Sequence, residues 1–152
     1  MTARTFAAIG GGFYLLLGIL GFVPAVWERP TGASGLTIRV FYASLFGLLT
    51  VNIILSMMHL VIGLWGAMAA NNKYSAVMFA RGGAVVFLAL GIAGLIPIPE
   101  VRTAYGTVPL GGANAWLHLG TAVVAAFFGV RPGYTLTQIG VQQDMNPHRP
   151  SP

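Results

Sequence analysis

Four long apolar stretches separated by short polar segments set the pattern of this chain. Charged residues are absent from 5–27, 40–72, 82–99 and 103–130. About 20 apolar residues cross a hydrocarbon core roughly 30 Å thick. The third interval is the shortest, and it reaches this length by including the turn beside Arg81, whose long side chain can extend to the interface. The sequence therefore predicts an all-α membrane protein with four transmembrane helices, at 6–26, 43–70, 75–96 and 111–130.

An internal repeat relates the first span to the third. Tyr14 matches Phe87, and the matches continue in one register from Gly18, Gly21 and Pro24 to Gly91, Gly94 and Pro97. The second and fourth spans are more weakly related, through His59-Leu60 and His118-Leu119. Two copies of a two-helix hairpin have the same orientation, because an even number of spans returns the chain to its starting side. The prediction is two tandem, parallel-repeat hairpins about an axis along the membrane normal.

The basic residues are divided unequally between the two sides of the predicted bundle. Five lie on the side of the termini, namely Arg4, Lys73, Arg81, Arg131 and Arg149, and three on the other, namely Arg29, Arg39 and Arg102. The positive-inside rule then places both termini in the cytoplasm. Residues 1–131 form the predicted transmembrane domain, and 132–152 form a polar tail that we expect to be flexible.

Composition restricts the class of protein and its partners. The chain is 56% hydrophobic and 7% charged, against about 25% charged in an ordinary soluble domain. The net charge is +5, but a chain that lies largely in lipid cannot present the extended basic face that nucleic acid requires. Membrane lipids are therefore the expected partners of the charged residues. The absence of cysteine excludes disulfides, thiolate catalysis and cysteine metal sites.

Small and polar residues recur at helical spacing along each span. In a membrane such stripes mark the faces on which helices pack. The predicted interior consists of Gly18, Gly21, Asn52, Ser56, Gly63, Gly91, Gly94, Asn114 and Thr121. All four spans can therefore turn a small or polar stripe toward one common interior.

His59 and His118 are the candidate cofactor-binding residues, because they are the histidines within the spans and the repeat places them at similar depth. One interpretation is a pair of neutral core histidines, hydrogen-bonded to Asn52, Ser56, Asn114 or Thr121. The alternative is ligation of a haem or a (bacterio)chlorophyll, since facing imidazoles form a bis-histidine haem site and one imidazole can hold a chlorin magnesium. A proton relay is a third interpretation. No other metal site is predicted.

The sequence contains no pattern typical of a catalytic site. No Ser/His/Asp or paired-carboxylate arrangement is present, and all three acidic residues lie outside the predicted spans. We therefore expect no enzymatic activity. The leading hypothesis is an accessory, assembly or stabilising subunit of a larger membrane complex, and the alternative is a tetrapyrrole-binding subunit.

The sequence resembles a bacterial family of small four-helix membrane proteins, of actinobacterial and cyanobacterial type, described as a domain of unknown function. The resemblance covers roughly 5–131. It rests on 18–24, 52–66, 91–97 and 114–119. The chain departs from the family's pattern at Leu55 and Ser56, where a His-Asn pair is usual. The resemblance implies a multi-pass protein of the bacterial inner or photosynthetic membrane, and it brings no biochemical activity. Apart from the resemblance, the leading hypothesis places the chain in a photosynthetic or respiratory membrane complex.

Overall fold

The structure is a computed structural model that describes residues 2–30 and 35–130. The predicted tail, together with Arg131 and Arg149, lies outside these residues. The described chain is mostly helical. Its helices are α1 (Ala3–Leu20), α2 (Ile53–Ala69), α3 (Lys73–Leu95), α4 (Pro99–Arg102) and α5 (Ala113–Gly129), and its strands are β1 (Trp27–Glu28), β2 (Ala43–Leu45) and β3 (Leu49–Val51).

Three of the long helices begin at a polar side chain that accepts a hydrogen bond from the first turn. Thr2 accepts from the backbone N–H of Thr5 in α1. Asn52 and Asn72 do the same at the start of α2 and α3, with N···O distances of 3.0 and 2.7 Å. Such caps satisfy backbone N–H groups that have no partner within the helix. They explain why each helix begins at its observed residue.

The long helices pack as two antiparallel pairs. α1 packs along α2, α3 packs along α5, and α1 and α3 contact each other between the two pairs. At one end, Phe6 stacks on Phe128 with ring centres 5.2 Å apart and also contacts Phe79. Further along, Tyr14 stacks on Phe87. The core is therefore formed around the contact between α1 and α3.

The prediction of a second span that starts at residue 43 is wrong. β2 and β3 form an antiparallel hairpin in which Ser44 pairs with Thr50, and β1 adds to β2 on its other side. The chain reverses at Phe46 and Gly47, which both have positive φ (51° and 70°) and thereby prevent a continuous helix. α2 begins only at Ile53, so the fold is not all-α in this segment.

Two of the long helices, α1 and α3, are long and apolar enough to cross a membrane by length and composition. α2 and α5 are apolar as well, but each has 17 residues. Association with a membrane is therefore indicated by α1 and α3.

Candidate functional site

His59 of α2 and His118 of α5 face each other in the interior of the bundle. Their ring centres are 6.5 Å apart, with the ring planes inclined at 64°. Only 3% of His59 and 1% of His118 is exposed. The structure thus brings together the two histidines that the sequence singled out.

Two stacked aromatic rings flank the histidines on the side of α1 and α3. The Tyr14 ring lies 5.3 Å from that of His59, and the Phe87 ring lies 5.7 Å from that of His118. Tyr14 and Phe87 stack on each other with ring centres 4.8 Å apart. The four rings form a closed group in which each contacts two others, so the imidazoles are held by packing.

Most of the nitrogen atoms of this histidine pair have no hydrogen-bond partner among the described protein atoms. Both ring nitrogens of His59 and Nδ1 of His118 are buried and unpaired, as is the hydroxyl of Ser56. Ser56 lies one turn from His59 on the same face of α2. The predicted hydrogen bonds from Asn52, Asn114 and Thr121 to the histidines are not formed.

Asn52 instead binds the segments that connect the helices. Its side-chain amide donates to the carbonyls of Ile38 (2.9 Å) and Thr107 (2.6 Å), while its oxygen caps α2. Every polar group of this fully buried side chain is used. Asn52 therefore fixes both connecting segments to the start of α2.

Asn114 has the corresponding role at the start of α5. Its amide donates to the carbonyls of Thr50 (2.6 Å) and Pro109 (2.7 Å). Thr50 belongs to β3, so this bond ties the sheet to the second helix pair. The two asparagines lie in the interior, as the sequence predicts, but they organise the loop end and do not contact the histidines through hydrogen bonds.

Thr121 binds Tyr14 across the bundle. Thr121 donates its hydroxyl proton to the carbonyl of Leu117 (2.9 Å), which leaves its oxygen to accept from the Tyr14 hydroxyl at 2.7 Å. This bond links α1 to α5, that is, one helix pair to the other. It also orients the Tyr14 ring that packs on His59.

The predicted glycines lie where helices approach most closely. A Cβ atom on Gly18 would lie 2.7 Å from the Leu60 side chain and 2.8 Å from its backbone nitrogen, and one on Gly91 would lie 2.6 Å from the Leu119 side chain and 3.0 Å from its nitrogen. Cβ atoms on Gly21, Gly63 and Gly94 would collide with Ser56, Leu15 and Leu110 respectively. Only glycine permits these distances.

Tyr14 and Phe87 belong to this site but are not predicted from the sequence, and neither are the contacts of two arginines with helix ends. The repeat register matched Tyr14 with Phe87 and was the available signal. Arg4 donates through Nε to the carbonyl of Ala70 (2.9 Å), and Arg81 donates to that of Gly129 (2.7 Å). A guanidinium at the C-terminus of a helix satisfies free carbonyls and complements the helix dipole.

The chemistry available at this site is that of two imidazoles and a hydroxyl. Within residues 2–30 and 35–130 there is no group of three or more His, Cys, Asp or Glu side chains that could hold a metal ion. Glu28 and Glu100 lie in β1 and α4, in the connecting segments, where both are exposed. The acidic residues of the described chain are therefore located away from the histidines.

Comparison with protein families gives a match that covers most of the chain. No curated protein and no solved structure matches the chain. A family model described as "Domain of unknown function (DUF4383)" matches residues 4–131, which include both helix pairs and the histidine site. Because this match covers nearly all of the described chain, the protein belongs to the DUF4383 family, a domain of unknown function.

Proposed function

We propose that the chain is a non-catalytic, multi-pass membrane protein whose four long helices cross the bilayer, and that it is an accessory, assembly or stabilising subunit of a larger membrane complex. The observation that carries the proposal is the distribution of residues across the bundle. Large apolar side chains face outward on every long helix, while Asn52, Ser56, His59, Asn114 and His118 are buried. Soluble proteins favour the opposite arrangement.

The outward faces are apolar on all four helices. Each helix has an apolar residue that is more than half exposed: Leu16 of α1 (54%), Val61 of α2 (68%), Val85 of α3 (71%) and Val123 of α5 (71%). Exposed apolar surface on this scale requires lipid or another protein to cover it. The interior contacts through Gly18 and Gly91 are of the kind that joins helices in lipid, where close packing takes the place of the hydrophobic effect. These features support four spans.

Contacts between repeat-related residues support the two tandem hairpins. Phe6 contacts Phe79, Tyr14 contacts Phe87 and His59 contacts His118, and in each pair the second residue is the repeat equivalent of the first. In a twofold arrangement, a residue contacts its own equivalent only near the axis. The three pairs therefore agree with a pseudo-twofold axis that runs between α1 and α3.

The proposed location is the bacterial inner or photosynthetic membrane, with both termini in the cytoplasm. Arg4, Lys73 and Arg81 lie at the end of the bundle that contains the α2–α3 turn, and Arg29, Arg39 and Arg102 lie in the opposite connecting segments. The described basic residues are thus equally divided, and the proposed orientation follows from Arg131 and Arg149, which the sequence adds to the side of the termini.

Site-directed photo-crosslinking in native membranes tests the role as a subunit. A photoreactive amino acid placed at Leu16, Val61, Val85 or Trp116 samples one outward face of each helix. Trp116 is 67% exposed. We expect at least one face to give a discrete protein adduct that co-purifies with a larger complex, while the remaining faces react with lipid. Lipid adducts from all four faces, together with purification of the chain alone, would contradict the proposal.

A haem- or chlorophyll-binding subunit is the second candidate, and the unpaired histidine nitrogens favour it. Two imidazoles that share one metal along a line have ring centres about 6 Å apart, because each metal–nitrogen bond is about 2 Å long. The observed 6.5 Å is close to that value. However, the edge of a macrocycle would enter between Tyr14 and Phe87, whose ring centres are 4.8 Å apart.

The tetrapyrrole candidate therefore requires the helices to move. Stacked flat groups on both sides of a macrocycle need about 7 Å between them, so α1 and α3 would have to separate. The absorption spectrum of the purified protein is the direct test. We expect no Soret band. A Soret band that disappears in both the His59→Gln and the His118→Gln variant would establish the tetrapyrrole candidate and contradict a histidine pair that binds no pigment.

A further inference from the structure

Three imidazole nitrogens at the centre of the bundle lack a hydrogen-bond partner among the described protein atoms. They are both ring nitrogens of His59 and Nδ1 of His118. A neutral imidazole carries one donor and one acceptor, and a buried polar group that forms no hydrogen bond is costly. The histidine pair therefore has unused donors and acceptors in a place where packing alone leaves them unsatisfied.

The separation of the two rings excludes two of the ways in which these nitrogens could be satisfied. A direct N–H···N hydrogen bond would bring the ring centres to about 5 Å. A tetrahedral zinc ion shared by both rings would also bring them to about 5 Å. Both values are shorter than the observed 6.5 Å.

A single water molecule fits the observed separation. With two hydrogen bonds of about 2.8 Å that meet at a tetrahedral angle, it holds the ring centres about 6.4 Å apart. We propose that His59 and His118 bind an internal water molecule that bridges the two imidazoles and provides the polar link between α2 and α5. The proposal does not rest on the role of the chain as a subunit.

The surroundings support a bound water at this position. The stacked rings of Tyr14 and Phe87 close one side of the pair and hold the imidazoles at a fixed distance. The Ser56 hydroxyl, also buried and unpaired, lies one turn from His59, where side chains on one helix face are about 5–6 Å apart. A second water between Ser56 and His59 would satisfy the remaining His59 nitrogen.

Water-edited solid-state NMR of the full chain in lipid bilayers tests the proposal. Histidine and phenylalanine side chains are isotopically labelled, and magnetisation is transferred from water protons. We expect the His59 and His118 rings to receive it several-fold faster than the Phe79 ring, which is 2% exposed and packs against the aromatic rings of Phe6 and Trp65. Equal transfer to the three rings would overturn the proposal.

Two further measurements distinguish a bridging water from a bound metal ion and from water elsewhere in the bundle. A metal ion held in a line between two nitrogens would give a ring separation near the observed one. Metal analysis therefore distinguishes it from water, and one equivalent of bound metal per chain would also overturn the proposal. His59→Phe should slow transfer to His118 to the rate of Phe79. Met57→Leu is the control, since Met57 is on the same helix and 55% exposed, and it should leave the transfer unchanged.

Discussion

The hydroxyl of Tyr14 donates a hydrogen bond to Oγ1 of Thr121 over 2.7 Å. These residues are 107 positions apart in the chain and belong to different helix pairs. Phe87, the repeat equivalent of Tyr14, has the same ring without the hydroxyl. The two otherwise similar helix pairs are thus joined by a polar contact that only one of them can provide.

Tyr14→Phe should lower the free energy of unfolding by about 1 kcal/mol, since it removes one buried hydrogen bond and keeps the stacked ring. Denaturant titration in mixed micelles measures this. Thr121→Val should have a similar effect, and the double variant should cost little more than either single change. Fully additive losses would show that the bond contributes nothing.

Gly18→Ala and Gly91→Ala should each destabilise the protein by roughly 1–3 kcal/mol, because the new methyl group overlaps the backbone and side chain of Leu60 or Leu119. Gly12 and Gly120 are matched controls on the helices α1 and α5, since a Cβ atom there meets nothing within 4 Å. Gly12→Ala and Gly120→Ala should be neutral, or stabilising by about 0.5–1 kcal/mol. Chemical denaturation of the four variants measures these changes, and equal effects of all four would contradict close packing at Gly18 and Gly91.

Asn52→Asp separates the two roles of this side chain. The carboxylate still caps α2, but it cannot donate to the carbonyls of Ile38 and Thr107, so we expect a loss of roughly 2 kcal/mol or more. Asn72→Asp is the control. The side-chain oxygen of Asn72 caps α3, and an aspartate keeps this function and complements the helix dipole. Thermal unfolding of both variants should reveal a large difference.

The proposed topology can be tested with single cysteines, because the chain has none of its own. Tyr105 is 83% exposed in the segment between α4 and α5, and Asn71 is exposed in the turn before α3. A membrane-impermeant thiol reagent should label Tyr105→Cys in intact cells and Asn71→Cys only after the membrane is opened. Labelling of both from one side would rule out four spans.

The limits of the helices were predictable where polar residues border them. α3 lies within three residues of the predicted 75–96 at either end, since Asn72 and Pro97 mark its limits. The sheet was not predictable because β2 and β3 lie in the charge-free interval 40–72, and the absence of charged residues does not distinguish a buried hairpin from a helix. Asn52 was the signal for the start of α2, as an asparagine followed by a continuous apolar run. The predicted span 43–70 instead places Asn52 in the middle of a helix.

The meeting of the histidines could be predicted, but their hydrogen bonds could not. Helical spacing and the repeat register place His59 and His118 on interior faces, because both depend on local geometry. The partners of Asn52 and Asn114 are backbone carbonyls of the connecting segments, whose paths depend on the sheet. An error in one connecting segment therefore changed the predicted partners of every interior amide.

The replacement of the start of the second span by β2 and β3 has a consequence for the surrounding lipid. α2 and α5, with 17 residues each, are about 25 Å long, whereas α3, with 23 residues, is about 34 Å long. In the proposed topology, the bilayer thins beside the short helices, and α3 tilts to fit its apolar length. The bundle should accordingly accumulate in bilayers of lipids with short acyl chains, and it should be excluded from thick, sterol-rich bilayers.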